Sequence, residues 1–185
     1  IKENNLGSVL AVDADPNSNL GEVLGIKPGE SIGTILDRIA ANPDKIPSGM
    51  PKNRFIEYEV QTAVSEGEGF DLLTMGRPEG PGCYCYVNNV LRDVTGRLMK
   101  DYDYVVIDNE AGLEHLSRRT MRSADTLLVV SDATFMGLKA AVRISKLVEE
   151  LKIKIGKKLL LVNRWTGAID KDKIKDLSPP YIGNI

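Results

Sequence analysis

Short, unbroken apolar runs take turns along this chain with stretches of helical periodicity, and that alternation constrains its fold more than any other feature. The apolar runs are Gly7-Ser8-Val9-Leu10-Ala11-Val12, Phe70-Asp71-Leu72-Leu73-Thr74-Met75, Tyr104-Val105-Val106-Ile107, Thr126-Leu127-Leu128-Val129-Val130 and Lys158-Leu159-Leu160-Leu161-Val162. A strand wetted on one face alternates apolar and polar residues. A strand covered on both faces has no need to. The runs therefore predict a parallel sheet with helices on both sides. Helical spacing joins Val87, Val90, Leu91, Val94, Leu98 and Met99, and again Leu138, Ala141, Val142, Leu147, Val148 and Leu151. Ser31 to Ala41 predicts a further helix with Ser31 as its N-cap. Residues 52–66 are ambiguous and lean helical through Ile56, Tyr58, Val60, Ala63 and Val64. The expected fold is α/β: a mostly parallel open sheet, helices on both faces and right-handed crossovers. Residues 1–185 read as a single such domain.

The 185 residues are enough for one real core, and the net charge of −2 disfavours an obligate nucleic-acid partner. There is no apolar run of about 18 residues, so no membrane span is expected, and no signal peptide is visible. The default compartment is the cytoplasm, where disulfides are disfavoured. The chain starts at Ile1 and stops at Tyr181-Ile182-Gly183-Asn184-Ile185, which resembles the approach to another strand. We expect a fragment cut at both ends.

Ligands of open α/β sheets gather at the carboxyl ends of the strands. The first run ends in Asp13-Ala14-Asp15-Pro16-Asn17-Ser18-Asn19. Carboxylates at i and i+2 share one side of an extended chain and can position a magnesium-bound water and an attacking water. A strand stop with an Asx turn and a helix cap is the plainer alternative. The third run delivers Asp108, followed by Asn109-Glu110-Ala111-Gly112. An apolar strand ending in Asp suits magnesium beside phosphates, although many strands end so for other reasons. Gly112 would allow a mobile backbone there. The fifth run ends in Asn163-Arg164-Trp165, where the Asn amide can both donate to and accept from a purine edge. Trp165 reads as a packing aromatic. His115, the only histidine, suits a surface or supporting role.

After the second run come Gly76-Arg77-Pro78-Glu79-Gly80-Pro81-Gly82 and then Cys83-Tyr84-Cys85, the only two cysteines. The Gly and Pro residues forbid regular structure, and helical spacing resumes near Val87. The thiols fall at or just before a helix N-terminus, where thiolates are favoured. A Cys-x-Cys disulfide closes a tight, strained ring, so a soft metal is the preferred reading over a redox pair or inert cysteines. Two thiolates are half of a four-coordinate site.

Asp-x-Asp-Pro, Val-Val-Ile-Asp-Asn-Glu-Ala-Gly and Val-Asn-Arg occur here in the order of the MinD/ParA/nitrogenase-iron-protein class of dimeric P-loop ATPases. Within that class, the run Gly76 to Asn88 resembles the CooC-type nickel chaperones of carbon monoxide dehydrogenase maturation. The resemblance implies an ATP-controlled homodimer whose Cys83 and Cys85 pairs meet on the two-fold axis and hold one nickel, or zinc, ion. It implies that Asp15 orients the hydrolytic water, that Asp13 and Asp108 lie near magnesium, and that Asn163, with Arg164 beside it, reads adenine. Carbon monoxide dehydrogenase or a related nickel enzyme would be the client. One departure stands out. The class carries a K-G-G-x-G-K-[S/T] loop before the first Asp-bearing strand, and these residues contain no G-x-x-x-x-G-K-[S/T]. The P-loop strand and helix would precede Ile1, nucleotide binding by this chain would be weak or absent, and the flanking strand edges would lie open. An amide-forming ATPase of the cobyrinate diamide synthase type and a MinD/ParA-like scaffold ATPase are the alternatives.

Overall fold

The computed structural model describes residues 7–76, 93–111, 123–165, 177 and 179–185. They fall into two compact units, Ile1–Glu110 and Ala111–Ile185.

The first unit is built on strands β1 (Val9–Asp13), β2 (Ser65–Gly67), β3 (Phe70–Thr74) and β4 (Tyr104–Asp108), in the order β2-β3-β1-β4. β1 lies between β3 and β4 and is parallel to both, as the unbroken apolar runs require. Side chains alternate between the sheet's two faces. Leu10, Val12, Leu73, Val105 and Ile107 take the face that packs on α2 (Ile32–Ala41) and α3 (Lys52–Thr62), through Ile32, Ile35, Ile39, Ile56 and Val60. Ala11, Leu72 and Val106 therefore take the other face. There the short helix α1 (Leu20–Leu24) approaches so closely that a methyl built on Gly21 would lie 3.1 Å from Leu72 Cδ2.

Ser31 caps α2 as expected, its hydroxyl accepting from Thr34 N at 3.2 Å. The ambiguous stretch is helical only as far as Thr62, where α3 ends; Ala63 caps it, and Ser65 and Glu66 belong to β2. The buried residues of α3 are Ile56 and Val60, four apart, whereas Tyr58 points outward and is 59% exposed. Arg38 of α2 ties the two helices by pairing with Glu59 of α3 and also with Glu30. Residues 93–98 are helical and bury Val94 and Leu98, whereas Val87, Val90 and Leu91 of the same expected helix lie outside the described residues. At the base of the sheet, Asp103 Oδ2 accepts from Ser8 N at 2.8 Å and Ser8 Oγ at 2.9 Å, which pins β1 against β4.

β2 was not expected, because Ser65-Glu66-Gly67 is not an apolar run. It pairs antiparallel with β3 across Glu68-Gly69, and Gly69 takes φ +83°, a conformation natural to glycine.

The second unit holds β5 (Ser123–Asp132), β6 (Lys154–Asn163) and β7 (Tyr181–Asn184), all parallel and in that order. Helix α4 (Phe135–Glu150) covers one face, Leu138 and Ala141 meeting Val129, Leu160 and Val162. Trp165 packs against this cluster, as read from sequence. β5 and β6 outrun their apolar runs because their polar ends pair with each other, Ser123 with Lys154 and Asp132 with Asn163. The closing residues Tyr181–Asn184 form a strand themselves. Each unit thus has a mostly or wholly parallel sheet flanked by helix, and among the described residues each sheet ends on an apolar strand. Tyr104 and Val106 on β4 are 38% and 52% exposed, and Leu128 and Val130 on β5 are 46% and 55% exposed.

Candidate functional site

In the first unit, the strand ends line up in register. Thr74 of β3 is the partner of Asp13 on β1, and Asp13 is the partner of Asp108 on β4. Register partners in a sheet share a face. The row Thr74–Asp13–Asp108 therefore lies on the α1 side, away from the main core.

Asp13 is fully buried. Its Oδ2 accepts from Leu20 N at 2.9 Å, closing the first turn of α1 from outside, and its Oδ1 accepts from Asp15 N at 3.2 Å. β1 stops at Asp13, and the chain turns immediately. The i, i+2 expectation of two carboxylates side by side on an extended strand is thereby corrected. Asp15 instead forms an Asx turn, Oδ1 accepting from Asn17 N at 2.8 Å and Asn17 Nδ2 at 2.9 Å. The cap and turn are both present, and they leave Asp15 partly exposed above the buried Asp13.

Asp108 carries the electrostatic signature of the row. Its carboxyl is pushed above the usual range, chiefly by partial burial and further by the negative charges of Asp13 and Asp15. Its charge is thus disfavoured in the folded chain, and a cation would relieve it. Among the described residues no three His, Cys, Asp or Glu side chains converge closely enough to ligate a metal directly. The donor set suits a hard cation that keeps much of its water, as magnesium does.

Burial of Asp108, with the repulsion from Asp13 and Asp15, has a stability effect. The folded pKa of Asp108 is raised, so its charge destabilises the fold once pH climbs through that value, and the penalty vanishes below the unfolded value of about 4. Asp108→Asn should raise the melting midpoint of the ligand-free chain at pH 7 by a degree or two. Melts at falling pH should show the gap closing. A lower midpoint for the variant at pH 7 would contradict this.

In the second unit, β6 ends at Asn163, in register with Asp132 of β5. Asn163 Oδ1 accepts from Arg164 N at 2.7 Å, and among the described residues its amide nitrogen is the group left to meet a ligand edge. Arg164 takes φ +54°, a left-handed conformation unusual for arginine, which aims the chain away from the strand. Asp132 accepts from Thr134 Oγ1 at 2.6 Å and Thr134 N at 3.1 Å. These bonds, helped by the charge of Arg164, hold its carboxyl below the usual range. A methyl built on Gly137 would lie 2.1 Å from Asp132 Oδ1, so the first turn of α4 needs glycine there.

Thr74 and Asp132 escaped the sequence reading. Thr74 lies inside an apolar run and Asp132 two residues beyond one, and only cross-strand register shows what each stands beside. Cys83, Cys85, Gly112 and His115 lie outside the described residues.

The model of the AAA_31 family, described as an AAA domain, matches residues 3–161. The chain belongs to that family. An uncharacterized ATP-binding protein of Methanocaldococcus jannaschii is 46% identical to this AAA_31 chain over 159 residues, 85% of the chain and 63% of that protein. The chain thus spans less than two thirds of that relative's length. The carbon monoxide dehydrogenase accessory protein CooC of Rhodospirillum rubrum is 30% identical over 159 residues, 79% of this chain and 60% of CooC. A ParA family ATPase from Chlorobium tepidum has the same fold, with TM-score 0.68 at 22% identity over 100% of this chain and 72% of its own. A MinD cell division protein of Aquifex aeolicus also shares the fold, with TM-score 0.65 at 20% identity over 98% of this chain and 70% of its own. The expected fold class holds.

Proposed function

We propose that this chain is the core of a nickel-handling accessory ATPase serving carbon monoxide dehydrogenase or a related nickel enzyme. One observation supports it above the rest: Cys83-Tyr84-Cys85 occurs in an AAA_31 chain that is 30% identical to a carbon monoxide dehydrogenase accessory protein. Two chains related by a two-fold axis supply four thiolates without any further cysteine. Nickel(II) favours a planar arrangement of four sulfurs and zinc a tetrahedral one, and either can occupy them. The working unit is then a cytoplasmic homodimer.

The strand ends take the nucleotide's part. Bound magnesium would neutralise phosphate charge. Asp13 and Asp108 would hold its water shell, with Asp13 fixed by its two backbone donors. Asp15, partly exposed on the turn, would orient the attacking water. The amide nitrogen of Asn163 would donate to a purine ring nitrogen, with Arg164 beside it. These residues include no lysine-bearing phosphate loop. That loop would have to come from polypeptide outside them, so ATP hydrolysis belongs to the whole protein. ATP binding would close the dimer and set the sulfur geometry, and hydrolysis would release the metal.

The test is titration of nickel into the chain and into Cys83→Ser/Cys85→Ser, followed by thiolate-to-metal absorption. The parent should develop the band and saturate, and the variant should show none. Equal stoichiometry in both would sink the metal assignment. The likeness to a ParA family ATPase favours a scaffold ATPase as second reading, which would give no thiolate band with either protein.

A further inference from the structure

Thr74 is one of few buried polar side chains in the first unit, at 4% exposure, and among the described residues its hydroxyl has no hydrogen-bond partner. A buried hydroxyl without a partner is costly, and folded proteins rarely keep one without use. Its neighbours say what the use is. Thr74 shares a face and a register row with Asp13 and, one strand further, Asp108. Leu72, two residues earlier on that face, meets α1 at Gly21, whereas Leu73 on the opposite face enters the core. The hydroxyl is thus set among the carboxylates and away from the apolar cluster. It is also the row's only uncharged oxygen donor, and both oxygens of its neighbour Asp13 are already engaged by backbone N–H groups. A hydrated divalent cation brought to this row carries waters whose hydrogens need acceptors. The carboxylates offer charge, and Thr74 offers an acceptor that the fold has left unspent.

We propose that Thr74 is a positioning residue of the cation site: its Oγ accepts a hydrogen bond from a water in the cation's shell and fixes that shell beside Asp13. The inference rests on the reading of Asp13 and Asp108 as a magnesium site, and it goes beyond that reading by adding a neutral acceptor for the cation's water from a third strand. It makes an unusual pairing of expectations. Valine has threonine's shape without the hydroxyl, so Thr74→Val removes an unsatisfied buried group and should leave the metal-free chain at least as stable. The same change should weaken the cation.

The experiment uses manganese(II) as the probe, followed by the loss of its free-ion electron paramagnetic resonance signal on titration with the chain. It is paired with melts of the metal-free proteins. Thr74→Val should bind manganese about tenfold more weakly than the parent, as loss of one hydrogen bond to a charged group implies. Thr74→Ser, which keeps the hydroxyl, should stay close to the parent. The melting midpoint of metal-free Thr74→Val should equal or exceed the parent's. If Thr74→Val binds manganese as the parent does, or melts lower without metal, the Thr74 proposal is overturned while the carboxylate site stands. If the parent itself binds no manganese, the carboxylate reading fails and takes this proposal with it.

Discussion

Leu10→Ala is expected to destabilise the first unit by about 3–5 kcal/mol, the range for emptying a fully buried leucine site. Leu10 is 0% exposed and sits on β1, the strand paired on both edges. It packs on the cluster that joins both neighbouring strands to α2 and α3. Collapse cannot easily fill the void, because the strands around it are fixed by parallel ladders. A domain of this size has only about 5–15 kcal/mol to lose. Denaturant unfolding of the variant should show the loss directly, and hydrogen exchange should place it in β1, β3 and β4. A loss under about 1 kcal/mol would mean that the two faces of this sheet are misassigned.

The second large effect concerns nucleotide. These 185 residues are expected to bind ATP at least a thousandfold more weakly than a longer polypeptide in which a strand bearing G-x-x-x-x-G-K-[S/T] is joined to them. Such a loop contributes several backbone N–H groups and a lysine to the phosphates. Two or three charge-assisted bonds at about 1.5–3 kcal/mol each account for the factor. Among the described residues no strand lies beyond β4, which runs parallel to β1 and carries Asp108 at its carboxyl end. Titration of a fluorescent ATP analogue compares the two polypeptides. Micromolar binding by the 185-residue chain would show that the phosphates find their donors without the loop.

What the sequence displayed, and what it hid, follows from where each signal resides. Leu10 to Val12 were legible because burial on both faces writes itself as unbroken apolar sequence. β2 was hidden because Ser65-Glu66-Gly67 owes its strand state to a hairpin partner rather than to its own side chains. The outer ends of β5 and β6 were hidden for the same reason. At the site, Asp13 and Asp108 were legible as acids closing apolar runs. The relation of Asp13 to Asp15 was not, because it depends on β1 stopping at Asp13 and on the turn that engages Asp15. Thr74 was invisible, since threonine is at home in any strand and its meaning lies two chain segments away.

A metal shared between two copies of the chain is the core of the proposed function. Native mass spectrometry of the nickel-loaded protein, prepared without oxygen so that the thiols stay reduced, measures that directly. The expected species is a dimer carrying a single nickel ion, absent from Cys83→Ser/Cys85→Ser. A nickel-bound monomer of the parent, or a nickel-bound dimer of the variant, would contradict it.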